Sequence, residues 1–191
     1  MLQRIGNYEL LDVLGRGGQG TVYRARHTDG HDAAVKVVAG APSDALIARF
    51  QREQAMASEI DSPYAVKIYD YGEEFGSYYI AMELVSGSLS GLLKDTPVLS
   101  TDRALHITDQ IAGALEAAVA AHPRFVHRVI KPPNILLADD GSVKVADFGT
   151  ARSEEWRGLT QMGQVIGTPP YITVLAPTER FYATRVGFAG G

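Results

Sequence analysis

The chain has 191 residues, 46% of them hydrophobic and 21% charged, with a formal net charge of −4 and no cysteine. That profile is globular and long enough for one domain of two small lobes; it excludes a disulfide framework or thiolate metal site and carries no basic footprint for nucleic acid. No apolar run reaches the roughly eighteen residues of a membrane span, and the first seven residues lack a signal-peptide core, so a reducing, cytoplasmic location is the expectation.

Tyr8 to Val13 predicts a strand, and Thr21 to Ala25, β-branched and aromatic, predicts another. Between them stands Gly15-Arg16-Gly17-Gly18-Gln19-Gly20. A dinucleotide-binding turn of this spacing would open a helix; here the chain continues as strand. The glycines let backbone amides approach phosphate oxygens with no Cβ in the way. A glycine-rich hairpin without a ligand is the alternative.

His31 to Val38 predicts a third strand, with Lys36 inside the apolar run Ala33–Val38. An unpaired lysine is seldom buried, so Lys36 needs a partner or an edge position. Ser43 to Ile60 predicts a helix whose stripe is Leu46, Phe50, Ala57 and Ile60. Glu53 lies on that stripe. A carboxylate facing a core needs a cation, and Lys36 is the favoured one because either charge left alone is costly; Arg49 at i−4 is the other. Tyr64 to Gly72 and Ser77 to Leu84 complete a sheet of five expected strands, turning at Glu73–Gly76.

Ser88 to Lys94 predicts a short helix and Thr101 to Ala121 a long one. The long helix has one apolar row at Ile107, Ile111, Leu115 and Ala118 and another at Leu105, Ala112 and Val119, so it is expected to be buried on several sides. Two short strands follow, Ile135–Leu137 and Val143–Ala146, joined by the turn Asp139-Asp140-Gly141-Ser142. Asn134 enters the first and Asp147 leaves the second. The hairpin brings together two hard oxygen donors of the kind Mg²⁺ takes beside phosphates.

These motifs fall in a familiar order. His127-Arg128-Val129, Lys131, Asn134 and Asp147-Phe148-Gly149, with the glycine turn upstream and Gly167-Thr168-Pro169-Pro170-Tyr171 downstream, resemble the eukaryotic-type serine/threonine protein kinases found also in bacteria. The resemblance implies an α+β, two-lobed fold with a complete N-lobe and an incomplete C-lobe. Residues 1–85 would be the N-lobe, a five-stranded sheet plus helix. Residues 86–171 would be a partial C-lobe with the catalytic loop and activation segment. Residues 172–191 would be a divergent tail, since the family's M-A-P-E is not matched there.

The resemblance also implies ATP and Mg²⁺ as cofactors. Gly15, Gly17 and Gly20 would cover the phosphates, and Lys36, held by Glu53, would contact them. Val22, Ala34 and Leu136 would flank adenine, with Glu83 and Val85 in the hinge. Asn134 and Asp147 would hold the metal, Lys131 the γ-phosphate, and Thr160 would be the activation-segment phosphosite, paired with Arg128. The position of the family's catalytic aspartate is Val129, which has no proton acceptor. The expected function is therefore an ATP-binding serine/threonine kinase domain with impaired phosphoryl transfer, pseudokinase-like; a weakly active kinase and a non-functional degenerate fragment are the alternatives. A protein substrate is expected if it is active. A protein partner or self-association is expected to cover the long helix; nucleic acid and membrane segments are not expected.

Overall fold

Alternation along the strands decides which side chains meet. A computed structural model describes residues 3–17, 20–39, 44–123 and 130–148; the side chains of 39, 44–47, 49, 50 and 53 fall outside the description. Among the described residues, β1 (Arg4–Ile5), β2 (Tyr8–Gly17), β3 (Gly20–His27), β4 (Asp32–Ala39), β5 (Ile68–Glu74) and β6 (Ser77–Met82) form an antiparallel six-stranded sheet in the order β1-β2-β3-β4-β6-β5. Val35 and Val37 point from β4 into a cluster with Ile5, Tyr8, Leu10, Ala25, Ala33, Tyr79 and Ala81. On the opposite face Tyr78 and Ile80 pack with Val38, Ile68, Tyr71 and Met82.

The expected five strands are thus six. β1 is only two residues long, too short to show a period, yet Ile5 is fully buried and pairs with Tyr8. The turn between β5 and β6 is also shorter than Glu73–Gly76. Its two central residues are Phe75 and Gly76, at φ 52° and 69°, and Glu73 and Glu74 remain paired with Tyr78 and Ser77. Two positive φ values match the strand twist of a tight hairpin.

Helix α1 (Asp44–Ser58) packs on β5, and Ala57 is buried as its stripe requires. Beyond β6, β7 (Gly87–Ser88), β8 (Ile135–Leu137) and β9 (Val143–Val145) form a second antiparallel sheet. Two helices support it. The Ser88 and Ser100 hydroxyls cap α2 (Leu89–Asp95) and α3 (Thr101–Ala121), accepting from the Gly91 and Arg103 amides. α3 lies against β9 and turns Ile107, Ala114 and Ala118 into a core with Ala65, Ile135, Val143, Val145 and Phe148. Its other row does not follow: Leu105 and Val119 are 54% and 48% exposed, and Ala112 is exposed too. No helix among the described residues is long and apolar enough to cross a membrane.

The two sheets are joined by backbone. Val66 N–H donates to Val145 O at 2.9 Å, and Val145 N–H donates to Tyr64 O at 2.7 Å. This crossing fixes the end of β9 beneath the large sheet.

Candidate functional site

The site begins with a shared face of the large sheet. Lys36 pairs with Val22 on β3 and with Ile80 on β6; Ala34, two residues earlier on β4, pairs with Met82. Directly opposed residues and i, i+2 neighbours share a face. Val22, Ala34, Lys36, Ile80 and Met82 therefore line one surface, facing the second sheet. Lys36 is buried, at 7% exposure, so its charge needs a counter-charge. Its Nζ lies 2.9 Å from Asp147 Oδ1. The expected partner, Glu53, has its side chain outside the described residues.

Asp147 sits at φ 64°, in the left-handed region that a residue with a Cβ seldom adopts. The constraint comes from both sides. Phe148 is buried in the lower core, and Ala146 N–H donates to Asn134 O at 2.8 Å. That hydrogen bond realises the expected juxtaposition, because it ties the entry of β8 to the exit of β9. Asn134 itself is buried, closing a single 3₁₀ turn (Pro132–Asn134) that starts from Lys131. Leu136 is half-buried on β8.

Above Asp147 and Phe148 lies a cavity of about 20 Å³, lined also by Gln54, Val66, Ile68, Ile80 and Met82. It has room for about one water. Gln54, buried next to the Glu53 position, belongs to this wall and was not singled out from the sequence.

Three further groups hold the frame. Glu83, just past β6, bridges the lobes: its carboxylate meets Lys144 Nζ on β9 at 2.9 Å and accepts from Lys67 N–H at 3.3 Å. Its own N–H donates to Lys67 O at 2.9 Å. Val85 follows, half-buried, in the connection to β7. Gln110 is buried on α3 and accepts from Val143 N–H at 2.6 Å, which positions β9 and hence Asp147. The available signal for it was its place between Ile107 and Ala114 on the buried stripe.

The glycine turn is partly described. Gly17 pairs with Gly20, whose φ of 119° and approach to Val37 O, 2.3 Å from where a Cβ would stand, admit only glycine. Gly15 and Gly17 have open space where a Cβ would be. Gly18, Gln19, the stretch 124–129 with Val129 and Arg128, and everything from 149 on, including Thr160 and the 172–191 tail, lie outside the described residues.

Comparison with known proteins decides the family. The profile of the protein kinase domain matches residues 8–178. The chain belongs to the protein kinase domain family. It is 41% identical over 189 residues to the serine/threonine-protein kinase PknD of Mycobacterium tuberculosis, covering 97% of this chain and 28% of that kinase. It is 38% identical over 172 residues to PrkC of Bacillus subtilis, covering 88% of this chain and 26% of that one. The chain thus spans under a third of the length of these curated relatives. The crystal structure of the Mycobacterium tuberculosis PknI kinase domain superposes with a TM-score of 0.69 at 30% identity, covering 81% of this chain and 64% of that one. The α+β kinase fold, N-lobe with part of a C-lobe, is therefore that of the serine/threonine protein kinases.

The donor set fits the family's metal. Asp147 supplies a carboxylate and Asn134 an amide carbonyl, both hard oxygens suited to Mg²⁺.

Proposed function

We propose that this kinase domain binds ATP with Mg²⁺ and that its transfer of phosphate to protein serine or threonine hydroxyls is impaired by Val129. The observation that carries the binding half is the convergence of buried Lys36 on Asp147, 2.9 Å apart, beside Asn134. Lys36 stands on the face that also presents Val22 and Ala34, an apolar surface for a flat base next to a cation for phosphate. Asn134 and Asp147 would hold the metal, which neutralises phosphate charge when bound. Gly15, Gly17 and Gly20 give the backbone close access to the phosphates. Lys131, at the start of the 3₁₀ turn, would reach the γ-phosphate, and Glu83 and Val85 place the lobe connection beside the base.

The impairment rests on Val129. In the family reaction the acceptor hydroxyl oxygen bonds to the γ-phosphorus, the bond to ADP breaks, and the hydroxyl proton passes to an aspartate. Valine cannot take that proton or orient the hydroxyl. Asp139 and Asp140 do not replace it, because they sit in the exposed β8–β9 turn, Asp139 engaged with the Ser86 hydroxyl at 2.6 Å.

A ligand that binds the native state raises the melting midpoint. Millimolar ATP with Mg²⁺ is expected to raise it in the wild type and to lose that effect in Lys36→Met. An unchanged wild-type midpoint, in a chain that melts cooperatively, would overturn the binding reading.

A further inference from the structure

The hairpin of β3 and β4 has a second cluster, at the end opposite the glycine turn. His27 closes β3, and the chain reverses through Thr28–Gly30, with Gly30 at φ 98°. His27 N–H donates to His31 O and Gly30 N–H to His27 O, both at 2.9 Å. The reversal brings three side chains to one point. Asp29 Oδ1 lies 2.9 Å from His27 Nδ1 and 2.6 Å from His31 Nδ1. The three ligand atoms all lie within 4.8 Å of one another. The imidazoles stack, centroids 4.7 Å apart at 26°, with Tyr8 against His27 at 4.9 Å and Tyr69 edge-on to His31 at 5.1 Å.

Asp29 N–H also lies 3.3 Å from His27 Nδ1, so backbone and side chain of Asp29 both turn toward that imidazole. Asp29 Oδ1 also accepts from the His31 backbone N–H at 3.1 Å, which fixes the carboxylate in the turn between the two imidazoles.

We propose that His27 Nδ1, Asp29 Oδ1 and His31 Nδ1 form a binding site for a divalent transition cation, with Zn²⁺ as its first occupant. Two imidazoles and one carboxylate are a three-ligand set that leaves a fourth position to water. Imidazole nitrogen selects Zn²⁺, Ni²⁺ and Cu²⁺ over Mg²⁺, which prefers oxygen, so this site does not compete for the metal of the nucleotide cleft. A tetrahedral ion about 2.0–2.1 Å from each ligand needs the donors to spread to roughly 3.3 Å apart. Asp29 and His31 can give that room, because their side chains are 61% and 41% exposed. Binding would clamp β3 to β4, the two strands that carry Val22, Ala34 and Lys36.

Calorimetric titration of the full chain with ZnCl₂ tests this, beside His31→Gln and Asp29→Asn, with nitrogen hyperfine structure in the Cu²⁺ electron paramagnetic resonance spectrum as a second readout. One Zn²⁺ per chain, not displaced by excess MgCl₂, is expected. Each variant should weaken it at least about tenfold, the loss typical even of removing a ligand's supporting partner. Two nitrogens should couple to Cu²⁺ in the wild type and one in His31→Gln. Equal binding by wild type and both variants, or no heat with Zn²⁺, overturns the site and leaves a metal-free imidazole–carboxylate cluster. The substitutions lie on an exposed turn, so metal-free melting midpoints matching the wild type show that a lost signal is a lost ligand.

Discussion

The large sheet and the lobe built on α3 are held in different ways. The sheet closes its own core: every member of the cluster around Ile5, Val35 and Tyr79 comes from β1 to β6 or their ladder neighbours. The second core is assembled from pieces far apart in sequence, among them the end of α1, the 60–68 segment, α2, α3, β8 and β9. One face of α3, with Leu105 and Val119, stays exposed. A ladder-built surface places Val22, Ala34 and Lys36 by many mutually supporting hydrogen bonds. Asn134 and Asp147 are placed by contacts between segments distant in sequence, among them Ala146 to Asn134, Val143 to Gln110 and Lys36 to Asp147. On the proposed reading, nucleotide binding would lean on the ladder-built half and phosphoryl transfer on the half assembled across the sequence, so that Val129 would affect the second while leaving the first intact.

The largest test of that contrast is Val129→Asp. If the rest of the site is competent, restoring the proton acceptor should raise the phosphotransfer rate by about 10²–10⁴, read with radiolabelled ATP and a generic protein acceptor. The ATP-induced midpoint shift should stay as in the wild type. A wild type already as fast as the aspartate variant would show that Val129 is not the defect.

Next in size is a pair of truncations on the two faces of the second lobe. Ile135 is 1% exposed, so Ile135→Ala should cost about 2–5 kcal/mol in urea unfolding. Leu105→Ala on the open face of α3 should change stability by less than about 0.5 kcal/mol. A large loss at Leu105 would mean that this face is covered in solution.

Gln110→Leu tests the support that α3 gives β9. It leaves the buried Val143 amide without its acceptor, a loss of about 1–3 kcal/mol. Because β9 leads into Asp147, the ATP-induced midpoint shift should shrink as well. A polar-group removal on the large sheet away from that support, Tyr71→Phe, should leave that shift unaltered.

Much of this architecture was legible in the residues because packing follows period. The strands are marked by β-branched and aromatic runs, and α3 runs from Thr101 to Ala121 as its row Ile107, Ile111, Leu115 and Ala118 predicts. The Asn134–Asp147 approach followed from the hairpin turn between them. What stayed hidden had no period to report it. β1 is too short to alternate. Glu73 and Glu74 have turn-like composition, yet the positive φ values fall on Phe75 and Gly76. Lys36 finds Asp147 across 111 residues, a distance over which no local pattern speaks. The His27, Asp29 and His31 cluster depends on a reversal at Gly30 that brings alternate residues to one point.

The smallest predicted effect concerns the large sheet at high pH. Tyr79 is buried, and its hydroxyl donates to Asp70 Oδ2 at 2.9 Å. The same ring leaves no room for side chains at Gly6 or Gly72, where a Cβ would stand 2.6 Å and 3.1 Å from its atoms. Burial first, and then the hydrogen bond to anionic Asp70, push the Tyr79 phenol well above its ordinary range. Burial raises Tyr8 in the same direction. A folded pKa above the unfolded one means that the folded state keeps its proton where the unfolded state has lost it. The contribution is therefore fully present below about pH 10 and is lost as pH rises from there toward the folded value. One unit above the unfolded pKa, a single such phenol removes about 1 kcal/mol. The midpoint of the wild type should fall above pH 10. Tyr79→Phe should start lower at pH 7, having lost the bond to Asp70, and then fall less steeply, so that the two curves converge. Parallel curves would mean that another group governs the alkaline loss.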